Sequence, residues 1–172
     1  MFERLALTLV RVDFLDPALA GQVDVRERGV RLEVRVVDTT STGSIYVSPA
    51  RQLQPAACRI DLLESAAHAA DRMHWHPVME AGEPGERTFD ATMAEDPLRW
   101  LDEHLRHVDV LLTRSGVPVD DQMSADIAAV RDVVPDIVAA AASGLEWARV
   151  EPWPDVTHDG RGLAATGQAG NL

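Results

Sequence analysis

The stretch Val30-Arg31-Leu32-Glu33-Val34-Arg35-Val36 alternates apolar and charged side chains over seven positions. A period of two puts every valine and leucine on one face and every charge on the other, which is a half-buried β-strand. The same alternation appears on either side of it. Upstream, Leu5, Leu7 and Leu9 alternate with smaller or polar neighbours, and Val10 and Val12 follow. Downstream, Ile45 and Val47 make a short candidate strand, and Cys58, Ile60 and Leu62 alternate with Arg59, Asp61 and Leu63. Asp16-Pro17 and Gly43 supply turn chemistry between them. No helical crossover separates these strands, so an antiparallel sheet is expected.

The pattern changes after residue 96. Asp96-Pro97 reads as an N-cap followed by proline at the first helical position. Trp100, Leu101, His104, Leu105, Val108 and Leu112 recur at spacings of three and four, and Gly116 closes the helix. A second stripe, Ile127, Val130, Val134, Ile137, Ala141, Leu145 and Ala148, keeps helical phase across Pro135. It predicts one long helix kinked at that proline. Strands first and helices second predict an α+β fold: an N-terminal antiparallel sheet with two C-terminal helices packed on one face. Residues 1–150 read as a single domain. From Glu151 onward the Pro-, Gly- and Thr-rich sequence predicts a loosely ordered tail over 151–172, with Trp153 docked on the body.

The 172-residue chain has 16 basic side chains, all arginine, against 28 acidic ones. With no lysine, Schiff-base enzymes are excluded, as are a P-loop and a kinase strand lysine. The net charge of −12 argues against nucleic acid and anionic membranes. The imbalance is local: residues 1–60 carry 8 arginines and 7 acids, so the remainder of the chain holds the negative charge. That acidic half reads as a solvated surface or as a cleft for a cation or basic partner. A single cysteine, Cys58, removes disulfides and Cys-rich zinc motifs. No basic segment followed by a long apolar run opens the chain, so a cytoplasmic location is expected.

Histidine and carboxylate are therefore the main chemical repertoire, and they converge in Asp71-Arg72-Met73-His74-Trp75-His76-Pro77-Val78-Met79-Glu80. On a strand, His74 and His76 point to one face and Trp75 to the other. Pro77 cannot donate a ladder bond, which places the segment at an edge. Two imidazoles plus a carboxylate suit a divalent metal such as zinc or iron. Glu80 is the nearest third ligand, and Asp71, His68 and Asp90 are alternatives. The run His-x-His-x3-Glu at His74, His76 and Glu80 resembles the first metal motif of cupins. No second cupin motif follows, and the helical reading after residue 96 departs from a barrel. The stretch from Arg59 to Leu62, with Met73 to Pro77 and Gly85, also resembles a family of uncharacterised proteins of high-GC actinobacteria. That resemblance implies an origin and no mechanism.

Other reactive side chains have plainer readings. His104 lies on the apolar stripe, as a satisfied core histidine would, although His107 stands one turn away. Asp61 and Glu64 point to opposite faces, and Asp61 shares its face with Arg59, which favours an ion pair. Cys58 reads as buried and inert. Two functional readings follow. One is a small metal-binding protein or metal-dependent enzyme, with His74, His76 and Glu80 as ligands and Glu80 or His76 as acid–base group. The other is a non-catalytic binding module whose imidazoles bond backbone carbonyls or Asp61. A small molecule, a protein partner and a second copy of the chain all stay open as partners.

Overall fold

The computed structural model describes residues 2–19, 21–22, 25–40 and 50–164. The expected strand at Ile45 and Val47 lies outside them. Three long strands, β1 (Leu5–Leu15), β2 (Arg26–Thr40) and β3 (Ala50–Glu64), and the short β4 (His74–His76) form an antiparallel sheet in the order β1-β2-β3-β4. The alternating heptapeptide lies within β2, where Val34 faces Cys58, Leu32 faces Ile60 and Val30 faces Leu62. These six side chains are buried and form the sheet's half of the core. A two-stranded hairpin, β5 (Met79–Glu80) and β6 (Glu83–Pro84), follows β4.

The C-terminal half is helical and its apolar stripes join the same core, so the fold is α+β. A short α1 (Ala91–Glu95), capped by Asp90, precedes the expected start at Asp96-Pro97. The single helix expected after Pro97 is two, α2 (Pro97–Arg106) and α3 (Val108–Arg114), so the predicted pair of helices is corrected. The break is at His107, which leaves the helical basin at φ −116° and ψ 41° while its N–H turns to the His104 carbonyl three residues back. The apolar spacing runs through the break, because Leu105, Val108, Leu111 and Leu112 are all buried. Gly116 ends α3 at φ +80°, in the left-handed conformation glycine adopts without strain.

The long helix α4 (Asp121–Ala148) starts at Asp120, whose carboxylate accepts the Met123 N–H at 2.8 Å. Pro135 lies inside it and deprives the Arg131 carbonyl of its donor, a cost of about 3 kcal/mol. Burial of Val130, Val134, Ala141 and Leu145 in the shared core offsets that cost. Asp126 ties the helix to β1 by accepting the Leu5 N–H at 2.9 Å. None of the helices in the described residues is long and apolar enough to cross a membrane.

The segment after Glu151, expected to be loosely ordered, is held to β1 as far as residue 164. Trp153 Nε1 donates to the Ala148 carbonyl at 2.8 Å, Leu15 N to Gly162 O at 2.8 Å, and Ala164 N to Asp13 O at 2.9 Å. Arg28 lies between two indoles, 4.1 Å from the Trp147 ring centre and 5.4 Å from that of Trp153. Its Nε is 3.0 Å from the Asp13 carboxylate, which Arg26 and His158 also contact. Burial alone would push the Asp13 carboxyl up, but its hydrogen bonds to Arg26 and His158 hold it below the ordinary 3.8.

Two predictions follow from this packing. A Cβ on Gly144 would stand 2.1 Å from Val30 Cγ1, and the β-branched valine has little rotameric freedom to yield. Gly144→Ala should cost about 1–3 kcal/mol in urea unfolding, and the loss should shrink when Val30→Ala is added. Asp13 is ionised more readily in the folded than in the unfolded chain. Its contribution is therefore complete at neutral pH and fades as the pH falls through 3.8 and below. Asp13→Asn should be less stable than wild type at pH 7, with the gap narrowing in unfolding curves taken toward acid.

Candidate metal centre

The sheet has a second face, and its central rows are set by strand register. Arg31 on β2, Asp61 on β3 and His74 on β4 are direct cross-strand partners. Glu33, Arg59 and His76 form the neighbouring row. The row between them, Leu32, Ile60 and Trp75, points into the core. Period-two alternation therefore separates Trp75 from the two imidazoles, as the sequence predicts. Trp75 packs edge-on against Trp100 at 5.8 Å, and the Arg114 guanidinium caps its ring at 4.7 Å.

Within these rows the carboxylate and the two imidazoles are sealed from water. Asp61 is 0% exposed, His74 3% and His76 2%. The segment that follows β4 supplies the cover. Trp75 and Thr88 exchange backbone hydrogen bonds of 3.0 and 2.8 Å, which folds residues 77–88 back beside β4. The Gly85 carbonyl accepts from His76 Nδ1 at 2.8 Å, and a Cβ there would sit 2.7 Å from the Val78 carbonyl oxygen. The Phe89 ring stands 5.8 Å from that of His74.

Each imidazole is oriented by a backbone carbonyl: Arg72 O at 2.8 Å from His74 Nδ1, Gly85 O at the same distance from His76 Nδ1. The hydrogen-bond network thus assigns the proton to Nδ1 in both neutral rings and leaves the Nε2 lone pairs facing Asp61. Burial pushes both imidazoles below the ordinary histidine value, outweighing the carbonyl hydrogen bonds and the Asp61 charge, which act the other way. The neutral form is favoured.

His74 Nε2 lies 3.4 Å and His76 Nε2 3.9 Å from Asp61 Oδ2. Asp61 Oδ1 accepts from Arg31 Nε at 2.7 Å. Oδ2 has Arg59 Nε at 2.9 Å, off the direction of a hydrogen bond, while Arg59 Nη2 reaches His76 Nε2 at 3.3 Å. Asp61 Oδ2 and His74 Nε2 are thereby both buried without a hydrogen-bond partner. His74 Nε2, a buried acceptor with no donor, costs about 1–3 kcal/mol, whereas Asp61 Oδ2 keeps the Arg59 charge at 2.9 Å. A cation between them removes that cost. One ligand atom from each of Asp61, His74 and His76 lies within 4.8 Å of the others. Ligands that share one ion at about 2.0–2.1 Å stand roughly 3–4 Å apart.

The carboxylate brought to His74 and His76 is Asp61 and not Glu80. Glu80 is exposed on the β5–β6 hairpin, opposite Glu83. The other acceptors considered lie elsewhere: Asp71 holds Ser65, Asp90 caps α1 and accepts from Trp100 Nε1, and exposed His68 bonds Glu64 through its backbone N–H. His104 is half-buried, stacked 3.6 Å on Trp100 and bonded to its carbonyl, as a satisfied core histidine should be. His107 instead bonds the Glu103 carbonyl. Burial pushes the Cys58 thiol up to about 12, so it is inert at neutral pH. The ion pair expected between Arg59 and Asp61 is present, and the same-face relation behind it was the signal that could have placed Asp61 beside the histidines. Comparison of the chain with protein-family models, curated proteins and solved structures finds no match.

Proposed function

We propose that the protein binds one divalent transition metal, zinc or iron(II), through Asp61 Oδ2, His74 Nε2 and His76 Nε2. The observation that carries this reading is the pair of buried, unpartnered acceptors, Asp61 Oδ2 and His74 Nε2, at 3.4 Å. Supporting it, each imidazole has its Nδ1 anchored on a backbone carbonyl, the outer-shell arrangement that metal-ligating histidines use. Three protein ligands leave at least one position open, and a water held there would be acidified. That is the route by which this site would support hydrolytic or lyase chemistry. The acidic chain is read as cytoplasmic, and its net charge of −12 disfavours nucleic acid.

A second reading rests on Arg59. Its guanidinium already reaches His76 Nε2 and Asp61, and Arg31 holds the other carboxylate oxygen, so a metal-free polar network would balance much of the charge. The histidines would then be structural.

Metal analysis of native protein separates the two. One equivalent of zinc or iron per chain is expected, lost in His74→Ala/His76→Ala and kept in Glu80→Gln. Chelator-treated wild type should regain the ion, with a gain of about 2.7 kcal/mol in unfolding free energy when free metal is 100-fold above Kd. Wild-type protein that takes up no zinc, iron or cobalt, with an unshifted melting curve, would overturn the metal reading and favour the structural one.

A further inference from the structure

We infer that the metal position is completed by a small oxyanion, a carboxylate or an inorganic oxyanion, gripped by Arg59. This inference rests on the metal reading above and names the ligand class of that site. It starts from charge. Asp61 is the sole carboxylate of the ligand cluster, and it already faces two guanidiniums, Arg31 Nε at 2.7 Å and Arg59 Nε at 2.9 Å. Arg87 adds positive potential at both imidazoles. The neighbouring acids are engaged: Glu33, across the ladder from Arg59, pairs with Arg35, and Glu27 stands 3.8 Å from Arg72. A dication at Asp61 would leave two positive charges and the ion against a single negative one. In a buried site that excess weakens the hold on the metal, and an anion that joins the metal offsets it.

Geometry says where the anion would bind. Arg59 Nη2 now rests 3.3 Å from His76 Nε2, the lone pair that the metal would take. Metal binding frees that N–H, while Arg59 Nε stays beside Asp61 Oδ2 at 2.9 Å. The Nη2 end of the guanidinium, released beside the ligand atoms, is then a charged donor for an oxyanion on the ion. Access follows the same path. The side chains of Arg31 and Arg59 are 19% and 13% exposed while the ligands are closed off, so the cluster meets solvent at the arginines.

Cobalt(II) spectroscopy tests this in two separable stages. Chelator-treated wild-type protein is first titrated with cobalt(II), then with oxalate, phosphate or chloride at constant ionic strength. Visible bands that form with one equivalent of cobalt and then shift saturably with oxalate or phosphate, and not with chloride, are expected. A response to oxalate alone would assign a carboxylate ligand, and a response to phosphate alone an inorganic oxyanion. Arg59→Gln should bind cobalt more tightly, because a repelling charge is gone, yet bind the oxyanion about tenfold more weakly or worse. A purely structural role for Arg59 would not move the two affinities in opposite directions. Failure of cobalt to bind wild type would overturn the metal reading, and the oxyanion with it. Bound cobalt whose spectrum ignores both oxyanions would overturn the oxyanion alone. So would an Arg59→Gln protein that binds both oxyanions as tightly as wild type.

Discussion

A carboxylate with no solvent exposure in the middle of a β-sheet has to be compensated, and Asp61 sets the terms for everything around it. β2 meets the demand from one side with Arg31 and β3 itself with Arg59, while β4 brings only the acceptor nitrogens of His74 and His76 to the other side. Ionised Asp61 can only accept. The two arginines can only donate, and each neutral imidazole offers it an acceptor nitrogen. The arithmetic of donors leaves the His74 Nε2 lone pair unanswered. A structural network assembled for stability alone would more simply place a hydroxyl or amide there.

The same three strands build two unlike environments within a few ångströms, because adjacent residues on a strand face opposite ways. Ile60 and Trp75 join a dry core, whereas Arg59, Asp61, His74 and His76 make a polar cluster on the other face. That second face would be open to solvent in a bare sheet. Residues 77–88, pinned through Thr88 to Trp75, fold over it. The covering segment also provides the Gly85 carbonyl that fixes the His76 tautomer. Burial of the site and orientation of its ligands therefore come from one piece of chain.

Much of this was legible in the sequence, for physical reasons. Alternation in β2 and around Ile60 marks strands whatever their partners, and Asp96-Pro97 marks a helix start from local chemistry alone. The common face of His74 and His76 follows from strand period. The third member of the cluster did not follow, because proximity along the chain favours Glu80, six residues from His74, over Asp61, thirteen away. Register between β3 and a three-residue β4 decides the matter, and nothing in His74-Trp75-His76 specifies that register by itself. The break at His107 was hidden for a related reason. Burial of Val108 and Leu112 keeps the apolar spacing intact across a residue that has left the helix. Beyond Trp153, the docking of the segment up to residue 164 was hidden because backbone bonds to β1 and a few polar contacts hold it, with little apolar pattern to read.

The absence of lysine takes on a structural meaning once these contacts are laid out. Arginine fills several roles that a compact ammonium would fill poorly. Arg28 stacks between Trp147 and Trp153 while its Nε faces Asp13. Arg149 contacts both oxygens of nearly inaccessible Glu64. Arg59 spans Asp61 and His76 at once. Each uses a planar, weakly hydrated cation with several donors in fixed directions, and such a cation is less costly to bury than a strongly hydrated one. Guanidinium also stays protonated when buried, so burial that lowers Arg28 and Arg59 from their ordinary values leaves both charged at neutral pH. Those permanent charges constrain the polar face in turn. With Arg31 and Arg59 fixed as cations beside Asp61, a metal and an anion bound there would each strengthen the binding of the other.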